Sequence, residues 1–191
     1  EFFPEGGRSR TGRLLPPKKG MLAMTVESFL AQPARKVALV PVYVGYDKLV
    51  EGASYVKELR GAAKQSESAG GLLKATRIFK SSYGSPHVAF GEPIALEDCL
   101  SHIEPEWRSK LQSGDESFIP AVVDHIAQEN MERVNSAAVI NPIGLVAMIL
   151  LSSPQRAMAE DELLNQIDAF VALLKRLPYS ADVTLPEGSA R

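Results

Sequence analysis

The chain has 191 residues and a formal net charge of −2, so its length allows one domain, or one domain with a helical appendage, and its overall charge provides no attraction to nucleic acid or anionic lipid. Apolar residues make up 45% and charged residues 23% of the sequence, as in ordinary globular proteins. Its single cysteine, Cys99, excludes an intrachain disulfide and is typical of a reducing compartment.

The segment Phe3–Arg13 combines one carboxylate, three glycines, two hydroxyls and three arginines. Arginine presents a planar fork of donors that suits phosphate oxygens, and glycine lets backbone N–H groups approach an anion closely. The segment therefore predicts a phosphate-binding loop. A solvated basic turn or a nucleic-acid-binding arm is the alternative, but the segment lacks interleaved aromatic residues that could stack on bases.

Residues 21–32 are predicted to form an amphipathic helix that Pro33 ends. The continuous apolar run Val37–Val44 follows and predicts a strand buried on both faces. Pro41 lies inside this run, where it indicates an edge, a bulge or a functional position, because proline cannot donate to a sheet ladder.

Residues 47–71 are polar and predict a helix, and residues 72–83 predict a further short helix. Its Lys74, Arg77 and Lys80 would form a positive stripe, which is either a solvated face or a contact for the phosphates of coenzyme A or lipid headgroups. A strand is predicted at Val88–Gly91. Strands and helices thus alternate over residues 1–95, which predicts an α/β layer structure.

From residue 96 the pattern becomes helical, with candidate helices over residues 96–100, 106–111, 119–139, 142–151 and 160–177. Asn141 and Pro142 predict a helix start, with asparagine as N-cap. The uncharged stretch 134–155 raises the possibility of a membrane span, but its unbroken apolar part has only about ten residues where a bilayer needs about 20, so a buried core helix is favoured. The tail after Pro178 is expected to be loosely ordered.

Two parts of the chain carry a family resemblance. Phe3–Arg13, continuing to Leu22, resembles the third conserved block of the glycerol-3-phosphate acyltransferases, which reads F-x-E-G-G-R-S-R-T-G-[RK] in the large bacterial membrane-bound type. Val40–Lys48 resembles the fourth block, an apolar strand around a proline. Similar sequence recurs at residues 55–62, 90–94 and 178–182, so the resemblance extends over essentially the whole chain.

The resemblance implies an α/β fold class. Residues 1–95 would be the C-terminal part of the acyltransferase α/β domain with its phosphate-binding loop, and residues 96–191 a helical C-terminal region. It also implies transfer of a fatty acyl group from acyl-CoA or acyl-carrier protein to the sn-1 hydroxyl of glycerol 3-phosphate, the first step of phospholipid synthesis. The substrate-binding residues implied are Glu5, Gly6, Gly7, Arg8, Ser9 and Arg10, with Pro41 as a further position.

The family's catalytic signature is H-x-x-x-x-D, in which the histidine deprotonates the acceptor hydroxyl and the aspartate orients it. Here His102 is followed five positions later by tryptophan, His125 by asparagine, and His87 by glutamate. His87 lies in strand-like sequence and is interpreted as a structural or exposed residue. We therefore expect the catalytic pair upstream, in a longer enzyme, and expect this chain alone to be inactive.

The resemblance implies no cofactor, and the sequence has no Cys/His spacing typical of a metal site. Cys99 is interpreted as a small buried residue. The implied partners are glycerol 3-phosphate, the acyl donor and a phospholipid surface at the cytoplasmic face of the bacterial inner membrane, with no nucleic acid. The alternatives are a stand-alone phosphate-binding module, or an acyltransferase that uses dihydroxyacetone phosphate or lysophosphatidate.

Overall fold

The computed structural model of the protein describes residues 1–7, 9, 11–47, 56, 60–61 and 84–187. The positive stripe predicted in the segment 72–83, and nearly all of the helix predicted over residues 47–71, lie outside the described residues. The elements that are described are a helix, four short strands and five further helices, in that order along the chain.

The first half contains α1 (Gly20–Ala31), β1 (Ala38–Leu39), β2 (Val42–Tyr46), β3 (Pro86–Phe90) and β4 (Ile94–Ala95). The second half contains α2 (Leu96–Ile103), α3 (Trp107–Ser113), α4 (Ile119–Ser136), α5 (Pro142–Ser152) and α6 (Glu160–Arg176). Each of these helices lies within three residues of its predicted bounds. Asn141 caps α5 as predicted, since its side-chain oxygen accepts from the Gly144 amide at 2.6 Å. The mixed α/β character predicted from the sequence is confirmed.

The strands form one interrupted antiparallel ribbon. β1 pairs with β4, and β2 pairs with β3, with Val42 opposite Phe90 and Val44 opposite Val88. Val40 and Pro41 interrupt the first arm, where the Gly91 amide donates to the Pro41 carbonyl at 2.9 Å. Pro41 thus sits at an irregular point of the sheet, as its missing N–H requires.

The prediction that Val37–Val44 forms one strand buried on both faces is wrong for the described structure. The run divides into two strands, and in β2 exposed and half-buried residues alternate. Val42, Val44 and their neighbour Val40 are all substantially exposed. The apolar sequence therefore lies on a ribbon that is covered on one face only.

The main core is formed by α1 together with α2, α3 and α4. Leu22, Val26 and Phe29 of α1 are buried against Val122 and Ile126 of α4 and their neighbours. Their spacing of three and four residues places them along one helix face, which explains the helix and its packing together. This core includes residues from both sides of the predicted division at residue 95; the division itself stays a prediction.

A smaller apolar cluster joins α5 to α6 around Leu145, Ile149 and Ile167. Within the described ranges, no helix is long and apolar enough to cross a membrane. The tail is better ordered than predicted: the Tyr179 hydroxyl donates to the Asn135 carbonyl at 2.8 Å, and Thr184 forms a bridge with Val139. The expectation of a loose tail directly after Pro178 is therefore wrong for these residues.

Candidate functional site

The predicted phosphate-binding segment folds into a closed loop before α1. The Gly6 amide donates to the Phe3 carbonyl at 3.0 Å, which makes a tight turn, and the Lys18 amide donates to the Pro4 carbonyl at 2.7 Å. Residues 4 and 18 are therefore held together across fourteen positions of sequence. The loop is a compact surface segment with joined ends, a form that often carries function.

The Glu5 side chain links two parts of this loop. Its Oε2 accepts a hydrogen bond from the Leu15 amide at 2.9 Å. As one of the implied substrate-binding residues, Glu5 could bind a glycerol hydroxyl or hold an arginine. The structure adds a third use, because the carboxylate satisfies a backbone amide ten residues away.

Gly6 is required by the turn. Its φ is +60°, and a Cβ at this position would lie 2.7 Å from Cγ of Lys18. Gly7 has open space where a Cβ would be placed. Only the first of the two adjacent glycines is therefore demanded by the fold of the loop, and the second is free to serve close approach of a ligand.

Ser9 is the polar group of the loop that stands out. Its Oγ is buried, and no hydrogen-bond partner satisfies it in the described structure. Buried polar side-chain atoms are nearly always paired, so an orphan of this kind calls for an explanation such as an absent ligand or water. Arg8 and Arg10, the residues on either side of Ser9, lie outside the described residues.

Two further cations, Arg13 and Lys19, lie beside α4. Lys19 Nζ lies 2.6 Å from Asp124 Oδ1, an exposed ion pair that ties the end of the loop to this helix. Beside it, Arg13 lines a cleft of about 800 Å³ between the loop and α4. Lys19 is also the N-cap residue of α1, but its side chain does not cap the helix. The first turn of α1 has no acidic residue.

Pro41 lies on a second cleft, of about 590 Å³, that the beginning of the chain also lines. Phe2, Phe3 and Pro4 share this cleft with Pro41. The structure thus brings Pro41 close to the start of the loop, although the described residues 5–7 and 9 are not among those that line the cleft. Pro41 is buried at the interruption of the ribbon, which gives it a structural role there.

His87 is held by Asp47 across the β2–β3 ribbon. Its Nε2 lies 2.7 Å from Asp47 Oδ1, and the Ser85 amide donates to the other carboxylate oxygen at 2.9 Å. These two hydrogen bonds hold the pKa of Asp47 below its usual value, and the bond from the Ser85 amide has the larger effect. This pair fastens the end of the ribbon, in agreement with the structural interpretation of His87.

Cys99 lies beside Glu129 of α4, with its thiol 3.4 Å from the carboxylate. Burial and the neighbouring negative charge raise the pKa of Cys99 to about 11. The thiol is therefore protonated at neutral pH and is a poor nucleophile. Within the described part of the chain, no group of three or more His, Cys, Asp and Glu side chains is arranged to hold a metal ion.

Sequence reasoning identified the loop but not the contacts that shape it. Nothing in the sequence was a reason to assign a role to Leu15, Lys18 or Asp124. Leu15 contributes only its backbone amide, Lys18 contributes the aliphatic part of its side chain, and Asp124 lies far away in sequence. Such pairings depend on how the chain folds back on itself.

Comparison with known proteins identifies relatives for nearly the whole chain. Residues 55–191 match the family described as glycerol-3-phosphate acyltransferase C-terminal region, and residues 1–45 match the family described as acyltransferase. Three similar proteins, each named glycerol-3-phosphate acyltransferase, come from Xylella fastidiosa (47% identity, 97% of this chain and 22% of the relative), Xanthomonas campestris pv. campestris (48%, 100% and 22%) and Pseudomonas aeruginosa (43%, 100% and 23%). The chain spans about 22% of the length of such curated relatives.

Proposed function

Because this chain belongs to the glycerol-3-phosphate acyltransferase family, we propose that it is the acceptor-binding and C-terminal portion of an enzyme that acylates the sn-1 hydroxyl of glycerol 3-phosphate. The acyl donor is acyl-CoA or acyl-carrier protein. The resemblance of the N-terminal loop to the family's third block and the names of the relatives support this function. The shared chemistry is the binding of a phosphate dianion next to a reacting hydroxyl.

The buried, unpartnered Ser9 Oγ is the observation that carries the proposal. A hydroxyl in this state loses its hydrogen bonds to water without gaining others, which costs free energy unless a ligand restores them. A phosphate oxygen is a suitable acceptor, and the neighbouring Arg8 and Arg10 would supply charge-assisted bonds. The closed loop would hold Ser9 ready for the substrate before it arrives.

The remaining residues of the site have distinct proposed roles. Gly6 and Gly7 shape the backbone around the phosphate, and Glu5 keeps the loop closed through Leu15 while its second oxygen stays available for a glycerol hydroxyl. Pro41 supports the site from the interrupted ribbon. Orientation of the acceptor hydroxyl by such a clamp can lower a reaction barrier by several kcal/mol.

We assign the proton-abstracting histidine and its aspartate to the part of the complete protein outside this chain, since no histidine here has an aspartate five positions later. The fatty acyl product partitions into a bilayer, which supports a phospholipid surface at the cytoplasmic face of the bacterial inner membrane as the place of action. On its own, this chain is expected to bind the acceptor without acylating it.

The replacement Ser9→Ala in the complete protein tests the proposal. We expect KM for glycerol 3-phosphate to rise about tenfold, equivalent to about 1.4 kcal/mol. Thermal stability without substrate should stay the same or rise, because the replacement removes a buried hydroxyl that has no hydrogen-bond partner. The matched control is Ser28→Ala on the exposed side of α1, which should change neither quantity. An unchanged KM in Ser9→Ala, or an equal rise for the acyl donor, contradicts acceptor binding here.

Arg8→Ala provides a second test that separates the two substrates. KM for glycerol 3-phosphate should rise far more than KM for acyl-CoA, because the guanidinium contacts only the acceptor phosphate. Arg35→Ala, an exposed arginine beyond α1, is the control. Competition with dihydroxyacetone phosphate and with lysophosphatidate then identifies the preferred acceptor; tighter binding of either would transfer the proposal to that substrate.

A further inference from the structure

One face of the β2–β3 ribbon is apolar and stays exposed among the residues that the structure describes. In register across the two strands, Val42 lies opposite Phe90, Val44 opposite Val88, and Tyr46 opposite Pro86. These six residues, which we call the open face, are all exposed, Phe90 by 71% and Val88 by 54%. The open face has no charged or hydrogen-bonding residue except the tyrosine.

The opposite face has the reverse distribution. It presents Tyr43, Gly45, His87 and Ala89, which are half-buried although they include a histidine that contacts Asp47. A folded ribbon normally turns its apolar face inward and its polar face to water. This inverted distribution indicates that a further apolar layer covers the open face.

The open face also continues into a formed groove. The cleft of about 590 Å³ that Pro41 lines has Val42, Val44, Val88 and Phe90 as one side, and Phe2 with Phe3 as another. Phe3 is 79% exposed. Contiguous apolar surface of this kind marks an interaction site, and a two-stranded ribbon is only marginally stable by itself.

The occupant follows from the extent of the chain relative to its family. The chain spans about 22% of the length of its relatives, so most of the family's polypeptide lies outside it. Phe3 and the strand β2 up to Gly45 belong to the residues that match the acyltransferase family. Glu1 lines the same cleft.

We propose that the open face is an intramolecular interface, covered in the complete protein by apolar helices or strands of the same polypeptide from outside these 191 residues. The continuous apolar run from Val37 to Val44 then obtains two covered faces, as its sequence is typical of. An acidic carrier protein would find no cation on this face. The inference depends on family membership but not on acceptor binding by Ser9.

Photo-crosslinking from the open face tests this interface. In the complete protein, Phe90 is replaced by p-benzoylphenylalanine, a slightly longer aromatic residue, and adducts are identified by peptide mass spectrometry after irradiation. We expect the principal adduct to join position 90 to a peptide outside residues 1–191 of the same polypeptide. The same probe at Leu177, 68% exposed in the helical region, is the control and should give at least tenfold less of such an adduct.

Other adducts would overturn the proposal. Joining to residues 1–191 of an isotope-labelled second copy would make the open face a dimer interface, and joining to lipid would make it a membrane contact. Absence of any adduct would leave the face open to water. In each of these cases Ser9→Ala could still raise KM for glycerol 3-phosphate, so the two proposals fail separately.

A smaller replacement protects the test against a folding defect at position 90. In the complete protein, Val88→Cys should react with a water-soluble maleimide at least tenfold more slowly than Leu177→Cys, measured on the individual peptides. Both should react equally fast after denaturation. Equal rates in the native protein would show that Val88 is uncovered and would refute the interface.

Discussion

Removal of the Glu5 carboxylate should loosen the acceptor loop without unfolding the protein. Glu5 Oε2 accepts from the Leu15 amide at 2.9 Å, and hydrogen bonds to charged groups contribute about 1.5–3 kcal/mol. Because Glu5 is only half-buried, we take the lower end, about 1.5 kcal/mol. The bond between the Lys18 amide and the Pro4 carbonyl remains, so the ends of the loop stay joined and the effect is confined to its interior.

Glu5→Ala in the complete protein should therefore raise KM for glycerol 3-phosphate about tenfold, with little change in KM for the acyl donor. Glu5→Gln is the informative control, since its amide oxygen can still accept from Leu15 and should restore most of the affinity. Steady-state kinetics with each substrate varied in turn measures both. If Glu5→Gln loses as much as Glu5→Ala, the charge itself contacts the substrate or an arginine, and loop closure is not its role.

Three further changes test the structure of the chain by chemical denaturation. Gly6→Ala should lower the free energy of unfolding by about 1–2 kcal/mol because of its positive φ, whereas Gly7→Ala, which meets open space, should cost less than half of that; equal costs would contradict the turn. Trp107→Ala, at a fully buried position, should cost about 3–5 kcal/mol, and a cost below 1 kcal/mol would show that the core differs. The hydrogen bond from the Ser85 amide lowers the pKa of Asp47 in the folded chain, so the ionised carboxylate stabilises the fold. Asp47→Asn should therefore be less stable than the native chain above about pH 4, which is the pKa of aspartate in an unfolded chain. This difference in stability should vanish as the pH falls through the lower pKa that Asp47 has in the folded chain. A difference that grows in acid would contradict a lowered pKa.

The helices could be predicted because their signals are local. Asn141 and Pro142 specify the start of α5 by capping chemistry, and α6 begins with three acidic residues in its first turn, as the helix dipole favours. These preferences operate within one or two turns of chain. They would hold in almost any tertiary context, which is why the predicted and observed bounds agree closely.

The candidate loop was recognisable for a different reason: its combination of arginines, glycines and hydroxyls is typical of anion binding. Its internal geometry was not, because Glu5 pairs with the amide of Leu15, a residue whose identity is irrelevant to that bond. The anchored tail is similar, since Thr184 meets Val139 through backbone groups. Contacts of this kind are set by the path of the chain and leave no trace in composition.

The strand prediction failed in an instructive way. The run Val37–Val44 has the composition of a strand with two covered faces, yet Val40, Val42 and Val44 are exposed. A hydrophobic side chain becomes buried only when another apolar surface packs against it. The sequence of a strand indicates that it needs such a surface but does not identify it. The discrepancy is therefore evidence about the rest of the polypeptide, and it is the basis for the interface proposed at the open face.

The helical region also bears on the acceptor site, although none of the proposed binding residues lies in it. The loop leads into α1, whose buried side packs on α4, and Lys19 pairs with Asp124 of the same helix. Arg133 of α4 donates to the carbonyls of Glu92 and Pro93 at 2.8 Å, next to the interruption that contains Pro41. One helix therefore contacts both the end of the loop and the interrupted ribbon. Since a clamp is effective only when its parts are held rigidly, we expect α4 to support the proposed acceptor site by fixing the distance between them.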